Sequence, residues 1–332
     1  MNPKKVKNNG LRVVSLFSGI GGLDLGFKFA GYKLVWANDF DKYACETYKA
    51  NVSKNVICGD IREEKKLIPE HDVLIGGFPC QPFSSLGKLE GFNDEKRGTL
   101  FFEIVDILRA HDTKMVVLEN VKNIINHDNG NTFKRILKEL CETGYYCYYQ
   151  VLNSADYGIP QRRNRMFLIG LNKKYFDNSQ FQFPEKIKLK NKVKDLLDKD
   201  VDSSYFLTKR ISKTILSTGT KGYIAKPSID NDIAKTLCAT MHKMHRASQD
   251  NYVTDEINYE RCKDDNRINV RKLTPNECRK LQGFPDNWVQ VVSDCQAYKQ
   301  FGNAVTVDVA YYIAKALYDH YKVNYHEPNV KV

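Results

Sequence analysis

The chain has 332 residues, 42% of them hydrophobic and 27% charged, which is enough apolar material for a packed core and excludes wholesale disorder. No run approaches the roughly 20 apolar residues needed to span a bilayer, and the start MNPKKVKNNG lacks the apolar stretch of a signal peptide. Lys and Arg total 51 against 40 Asp and Glu, a net charge of +11, and such a surplus favours a polyanionic partner. A soluble, cytoplasmic protein of two lobes is expected, with no membrane partner. The nine cysteines are odd in number and irregularly spaced, so they do not form a disulfide framework. No metal is expected: there is no pair of CxxC motifs, and His242 and His245 have no thiol or carboxylate at ligand spacing.

In chain order, LRVVSLF (11–17) is a β-branched apolar run, SGIGG breaks it, and LDLGFKFAGY (23–32) has apolar residues at helical spacing. KLVWAND (33–39) is a second strand and DKYACETYKANV (41–52) a second helix. VICGD (56–60), DVLIGGF (72–78) and KMVVLEN (114–120) are further strands, with the helix GTLFFEIVDILRAH (98–111) between the last two. This rhythm predicts right-handed βαβ units and a mostly parallel sheet covered by helices. YCYYQVLN (146–153) and RMFLIGLN (165–172) supply its last strands. After Pro184 the rhythm stops, and from Ser203 to Ser248 eight basic residues face two acidic ones. Order returns at 273–288 and in 296–321, whose second half is an amphipathic helix.

Chemistry concentrates where strands end. The turn Phe17-Ser18-Gly19-Ile20-Gly21-Gly22 lets a ligand approach the backbone at a helix start. Asp39, at the end of the second strand, is placed for ribose hydroxyls, and Asp60 could take an adenine amino group. This set indicates an adenosine-containing cofactor and leaves NAD and S-adenosylmethionine both open. GGFPCQPFS puts Cys80 on a tight loop after the fourth strand. Glu119 ends the next one, and QRRNR precedes a later one, so three complementary groups arrive at equivalent strand ends, where α/β ligand sites form.

FSGIGG, GFPCQPFS, LENV, QRRNR, the RKLTPNECRKLQGFPDNW block and the terminal GNAV resemble, in order, the motif set of the DNA (cytosine-5) methyltransferases, most nearly the bacterial restriction–modification enzymes of the HhaI type. The resemblance runs from about Leu11 to Tyr321, apart from the basic insertion. It implies an α/β, Rossmann-like, S-adenosylmethionine-dependent methyltransferase sheet with a smaller, mostly irregular or β target recognition domain. Residues 1–184 and 300–332 would form the catalytic domain, 185–272 the target recognition domain and 273–299 the hinge and linking motif.

Carried over residue by residue, the resemblance makes Cys80 the nucleophile and pairs Glu119 with the cytosine ring, with Arg163 and Arg165 holding the base and the catalytic loop. Phe17, Gly19, Gly21, Gly22, Asp39, Phe40, Asp60, Ile61, Pro79, Leu100 and Asn303 would line the S-adenosylmethionine pocket. Ser84, Ser85, Lys88 and Arg97, in a mobile lid over 84–99, and Lys235, Thr236, Lys243 and Arg246 in the basic strip would contact double-stranded DNA. The expected enzyme is monomeric, and a cognate endonuclease shares its site without binding it. Two positions depart from the family pattern: Asp39 stands where most members have glutamate, and Ser15 where aspartate often precedes the leucine. The alternatives are a tRNA cytosine methyltransferase, a catalytically silent DNA-binding homologue and, at the level of fold alone, an NAD oxidoreductase.

Overall fold

The computed structural model describes residues 6–79, 100–178, 180–217, 219–220, 223–224, 227–243, 247–262 and 264–328. In chain order the first elements are β1 (Arg12–Leu16), α1 (Gly22–Phe29), β2 (Lys33–Asp39), α2 (Lys42–Asn51), β3 (Val56–Cys58) and α3 (Ile61–Glu64). Next come β4 (Val73–Gly77), α4 (Leu100–Ala110), β5 (Met115–Val121), α5 (Asn131–Glu142), β6 (Tyr145–Asn153), β7 (Gln161–Arg162) and β8 (Asn164–Asn172). Then follow β9 (Phe206–Thr208), α6 (Lys209–Ile215), β10 (Gly219–Thr220), β11 (Tyr223–Ile224), β12 (Ser228–Ile229) and β13 (Ala234–Lys235). The chain ends with β14 (Asn251–Val253), α7 (Glu256–Cys262), β15 (Arg267–Lys272), α8 (Pro275–Lys280), α9 (Asp294–Asn303) and α10 (Val307–Asn324).

Two compact units result. The larger holds the described residues up to Leu152, Asn164–Glu185 and those from Val309 on; the smaller holds Asn153–Arg163 and Lys186–Asp308. The first is a seven-stranded sheet in the order β3-β2-β1-β4-β5-β8-β6. Its pairs from β3 to β5 are parallel and β5 pairs with β8 antiparallel. Near-continuous apolar strands suit a parallel sheet buried on both faces: Val73–Ile75 and Met115–Leu118 are all completely buried. α10 returns to this unit and packs on α1. A Cβ on Gly26 would lie 2.4 Å from that of Ala310, so only glycine allows the two helices this approach. The expected strands are all present, with ends shifted by a few residues. α5 and α9 were not among the expected elements: each begins in a run of Asn, Asp, Gly or Ser that reads as loop.

The smaller unit has a four-stranded sheet, β12-β14-β15-β9, with β12 and β14 parallel and the other pairs antiparallel. Two ribbons, β10–β11 and β13–β7, accompany it. Its strands are two to six residues long, and an apolar cluster of Leu207, Ile215 and Tyr252 lies among them. The molecule is thus an α/β, Rossmann-like fold with a smaller, irregular and β-rich part. Among the described residues no helix is long and apolar enough to cross a membrane.

Candidate active site

Parallel pairing brings the carboxyl ends of β1 to β5 to one edge of the sheet, and with them the residues that follow each strand. After β1 the chain turns sharply: Phe17 has a left-handed backbone at φ 54°, Gly19 at 54° and Gly21 at 83°. Gly21 precedes α1 and donates its N–H to the Ser18 carbonyl at 2.8 Å. A Cβ there would meet Val52 Cγ2 at 2.7 Å and Tyr48 Cε2 at 2.9 Å, so α2 forms a wall that admits only glycine. The turn is fastened to β2 from outside: Ser18 donates to the Asn38 carbonyl at 2.9 Å and Gly19 N–H to Asp39 Oδ2 at 2.6 Å.

Asp39 also accepts from Asp41 N–H through Oδ1 at 2.8 Å. Burial pushes its carboxyl above the usual range, against the lowering pull of these backbone donors. The next residue, Phe40, is 79% exposed, an aromatic face offered at the sheet edge beside a carboxylate. Asp60 caps α3 and accepts from the Arg62 guanidinium, Nε lying 3.0 Å from Oδ1 and 3.1 Å from Oδ2; that contact holds its pKa below the usual carboxylate range. Its side chain is therefore already engaged on the side facing Arg62. Ile61 is buried in the core, and Phe17 and Leu100 pack partly buried against that cluster. Pro79 is exposed. Asn303 is exposed at the end of α9 in the smaller unit.

The second cluster spans β4, β5 and β8. Glu119 pairs in register with Gly77 on one side and Phe167 on the other. Arg165, two residues from Phe167 on the same face, sets its Nε 3.0 Å from Glu119 Oε1, with both side chains largely buried. A Cβ on Gly77 would lie 3.3 Å from Glu119 Oε2, so the bare glycine makes room for the glutamate. The neighbouring Asn120, buried, donates from Nδ2 to the Phe78 carbonyl at 2.8 Å. This amide fixes the backbone two residues before Cys80; sequence reasoning assigned Asn120 no role, although a buried amide beside a strand-end acid was its signal. Cys80 itself, and Ser84, Ser85, Lys88, Arg97 and Arg246, lie outside the described residues, as does His245.

Arg163 belongs to the smaller unit and is 1% exposed. It donates to the carbonyls of Leu237 at 2.8 Å, Gly302 at 3.1 Å and Ala304 at 2.7 Å. Three carbonyls around one guanidinium make it a brace between the Thr236-Leu237 segment and the GNAV turn, while Arg165 is the arginine on Glu119. In the same unit Thr236 donates to the Arg162 carbonyl at 2.6 Å, Lys235 Nζ to the Ser248 carbonyl at 2.9 Å, and Lys243 is exposed. The structure therefore joins Glu119 with Arg165, and Phe17 to Gly22 with Asp39 and Phe40, inside the larger unit; Arg163, Asn303 and the described DNA candidates sit in the smaller.

Known proteins agree with this architecture. The profile of the C-5 cytosine-specific DNA methylases matches residues 11–319. The chain is 39% identical over 316 residues to the type II methyltransferase M1.ScrFI of Lactococcus lactis subsp. cremoris, covering 92% of this chain and 77% of that protein. It is 38% identical over 321 residues to M.HhaI of Haemophilus parahaemolyticus, covering 92% and 93%. In fold it is similar to the S. pombe Dnmt2 methyltransferase, with a TM-score of 0.74 at 21% identity over 93% of this chain and 98% of that one. Motif order, strand-end geometry and similarity along nearly the whole length converge: the chain belongs to the C-5 cytosine-specific DNA methylase family.

Proposed function

We propose that this S-adenosylmethionine-dependent DNA (cytosine-5) methyltransferase modifies one cytosine within a short duplex site, through a covalent adduct between Cys80 and a base swung out of the helix. It acts as the modification half of a restriction–modification system, as a monomer in the bacterial cytoplasm, and the nuclease reads the same site without binding it. The several relatives named as type II methyltransferases support this reading over tRNA methylation. In it, residues 1–184 and 300–332 carry catalysis, 185–272 recognise the target and 273–299 link the two.

The observation that carries the reading is the Glu119–Arg165 pair over Gly77, beside the amide that holds Phe78. It sets an acid and a cation beside the end of β4, the strand that precedes Pro79-Cys80-Gln81 in the chain. The residues around the glycine turn fit an adenosyl cofactor: a wall that excludes side chains at Gly21, a carboxylate at Asp39 with lone pairs to spare, and the open ring of Phe40. When bound, S-adenosylmethionine supplies a methyl group on a positively charged sulfur.

C5 of cytosine is too weak a nucleophile to take that methyl unaided. Attack of the Cys80 thiolate forms a bond to C6, ends the ring's aromatic character and moves the C5–C6 π pair towards C5, splitting one hard step into two. Positive charge from Arg165 favours the thiolate. Glu119, when it carries or shares a proton, donates a hydrogen bond to N3 as negative charge develops in the ring. After methylation at C5, solvent takes the C5 proton, the electron pair re-forms the C5–C6 double bond, and the Cys80 sulfur leaves. Cys80 cannot reach C6 inside the stack, so the base is extruded at a cost of about a few kcal/mol. Lys235, Lys243 and Arg246 contact phosphates, with Thr236, Ser84, Ser85, Lys88 and Arg97 along the same duplex.

The test has two stages. Plasmid DNA incubated with enzyme and cofactor is sequenced for 5-methylcytosine to find the site. A duplex carrying 5-fluorocytosine at that position, whose fluorine cannot leave as a proton does, is then presented to wild type and Cys80→Ser. A DNA-linked protein with the bond at Cys80, absent from the variant, is expected; no adduct, or one at another residue, overturns the mechanism.

A further inference from the structure

The glycine turn is closed at its base by a carboxylate that lies in none of the motifs. Asp24, in the first turn of α1, is completely buried. Its Oδ2 accepts the Ser15 hydroxyl at 3.0 Å and its Oδ1 accepts the Tyr48 hydroxyl at 2.7 Å. Ser15 precedes the turn on β1, Asp24 follows it on α1, and Tyr48 comes from α2, so one side chain ties all three elements that surround Phe17–Gly22. The tie is placed where strain is stored: Phe17 adopts a left-handed backbone that a side chain disfavours. Tyr48 does double service, since the ring whose hydroxyl holds Asp24 is also the wall against Gly21.

Burying a carboxylate is unfavourable, and an apolar residue would fill the same volume without that cost. Both hydroxyls spend their protons on Asp24, which satisfies the ionised form, and its own backbone N–H at the start of α1 acts in the same direction. Burial pushes its pKa up to about 6, with the charge of Asp39 acting in the same direction. The arrangement also accounts for a departure in the first motif. Where family members often carry aspartate before the leucine, this chain has Ser15; the carboxylate comes instead from the other end of the same hydrogen bond.

We infer that Asp24 is a positioning residue of the cofactor site, holding the Phe17–Gly22 turn in its ligand-ready shape through Ser15 and Tyr48. This rests on the S-adenosylmethionine reading given above. It is tested by Asp24→Ala, by Tyr48→Phe, and by the exchange Ser15→Asp with Asp24→Ser, which returns the carboxylate to the strand. Each protein is assayed for the KM of S-adenosylmethionine, for kcat, and for the Kd of S-adenosylhomocysteine by calorimetry.

Loss of both charge-assisted contacts in Asp24→Ala predicts that KM and Kd rise about tenfold, and loss of one in Tyr48→Phe that they rise about threefold, while kcat at saturating cofactor stays within about twofold. The exchange should recover most of the loss. A purely structural role would lower the melting temperature and leave both constants of the folded enzyme unchanged. Constants within about twofold of wild type in Tyr48→Phe and Asp24→Ala therefore overturn the assignment. If Asp24→Ala does not fold, Tyr48→Phe decides by the same criterion. A wild-type enzyme that binds neither cofactor nor product would instead refute the cofactor reading itself.

Discussion

The larger unit is built on apolar side chains buried against both faces of a sheet, whereas the smaller one closes over guanidinium groups. Val14, Leu16, Leu74, Val116 and Leu118 form one continuous buried cluster with α4 and α5. In the smaller unit Arg163, Arg271 and Arg279 are 1%, 0% and 5% exposed. Arg271 holds Glu277 through two parallel bonds of 2.9 and 2.8 Å and Asp255 through a third of 2.7 Å. Arg279 donates to the carbonyls of Phe284 and Pro285, both at 2.6 Å. A unit with short strands has little periodic apolar surface to bury, and arginine can satisfy several loop carbonyls and carboxylates at once. The difference teaches that not all of the chain's positive charge is available to a polyanion: these three guanidinium groups are consumed inside the smaller unit.

The sharpest way to break this contrast is Arg271→Ala. It would leave the buried Glu277 and the half-buried Asp255 without their cation, a loss on the order of 3–5 kcal/mol. The chain's two tryptophans separate the outcome: Trp36 lies in the larger unit, while Trp288 lies in the smaller one against Phe284, ring centroids 4.5 Å apart. Denaturant unfolding followed in the Trp36→Phe and Trp288→Phe backgrounds should show the transition reported by Trp288 moving to lower denaturant. If both tryptophans shift equally, the two units unfold as one and the contrast has no thermodynamic meaning.

The same contrast explains what could be read in the amino-acid sequence. Strands such as 72–78 and 114–120 announce themselves because a buried parallel strand must be apolar over its length. Glu119 and Asp39 stood out because a carboxylate directly after such a run needs a reason to be there. Arg271 and Arg279 gave no such signal, since a buried arginine in an irregular segment is indistinguishable by composition from a solvated one. Arg163 was read as a catalytic group from its motif, and its three carbonyl partners emerge only when residues 163, 237 and 302–304 are brought together by folding. Asp24 escaped for a related reason: in the sequence it is one acid at a helix start, an ordinary place for a carboxylate.

A smaller effect sharpens the comparison through pH. Asp308, in the smaller unit, is 4% exposed, and its Oδ2 lacks a hydrogen-bond partner among the described residues. Burial pushes its pKa up to about 6. A carboxyl raised in the folded state binds its proton there after the unfolded chain has lost it, so its destabilising influence grows as pH rises from about 4 through 6. His71, in the larger unit, has the opposite sign. Burial lowers its pKa to about 4, so the stability tied to its neutral form is present above the unfolded value and is lost as pH falls from about 6.5 towards 4. Asp308→Asn should therefore gain stability relative to wild type by about 1 kcal/mol more at pH 8 than at pH 5. A difference that does not change with pH would mean the carboxyl finds a partner in solution.

The least disruptive test separates available from consumed positive charge within the basic strip itself. Lys243 is exposed, whereas the Lys235 ammonium is spent partly on the Ser248 carbonyl at 2.9 Å. If the strip meets DNA, each lysine that neutralises a phosphate releases a counterion, and the plot of log affinity against log salt loses about 0.9 in slope when that lysine is removed. Lys243→Gln should show nearly that full change on any duplex, since a phosphate contact carries no sequence information. Lys235→Gln should change the slope by less, because part of what it loses is an internal bond, and should instead lower stability slightly. Equal slopes would mean the Ser248 tie is released when DNA binds. An unchanged slope for Lys243→Gln would assign that end of the strip to solvent, and the smaller unit would then take its phosphates elsewhere.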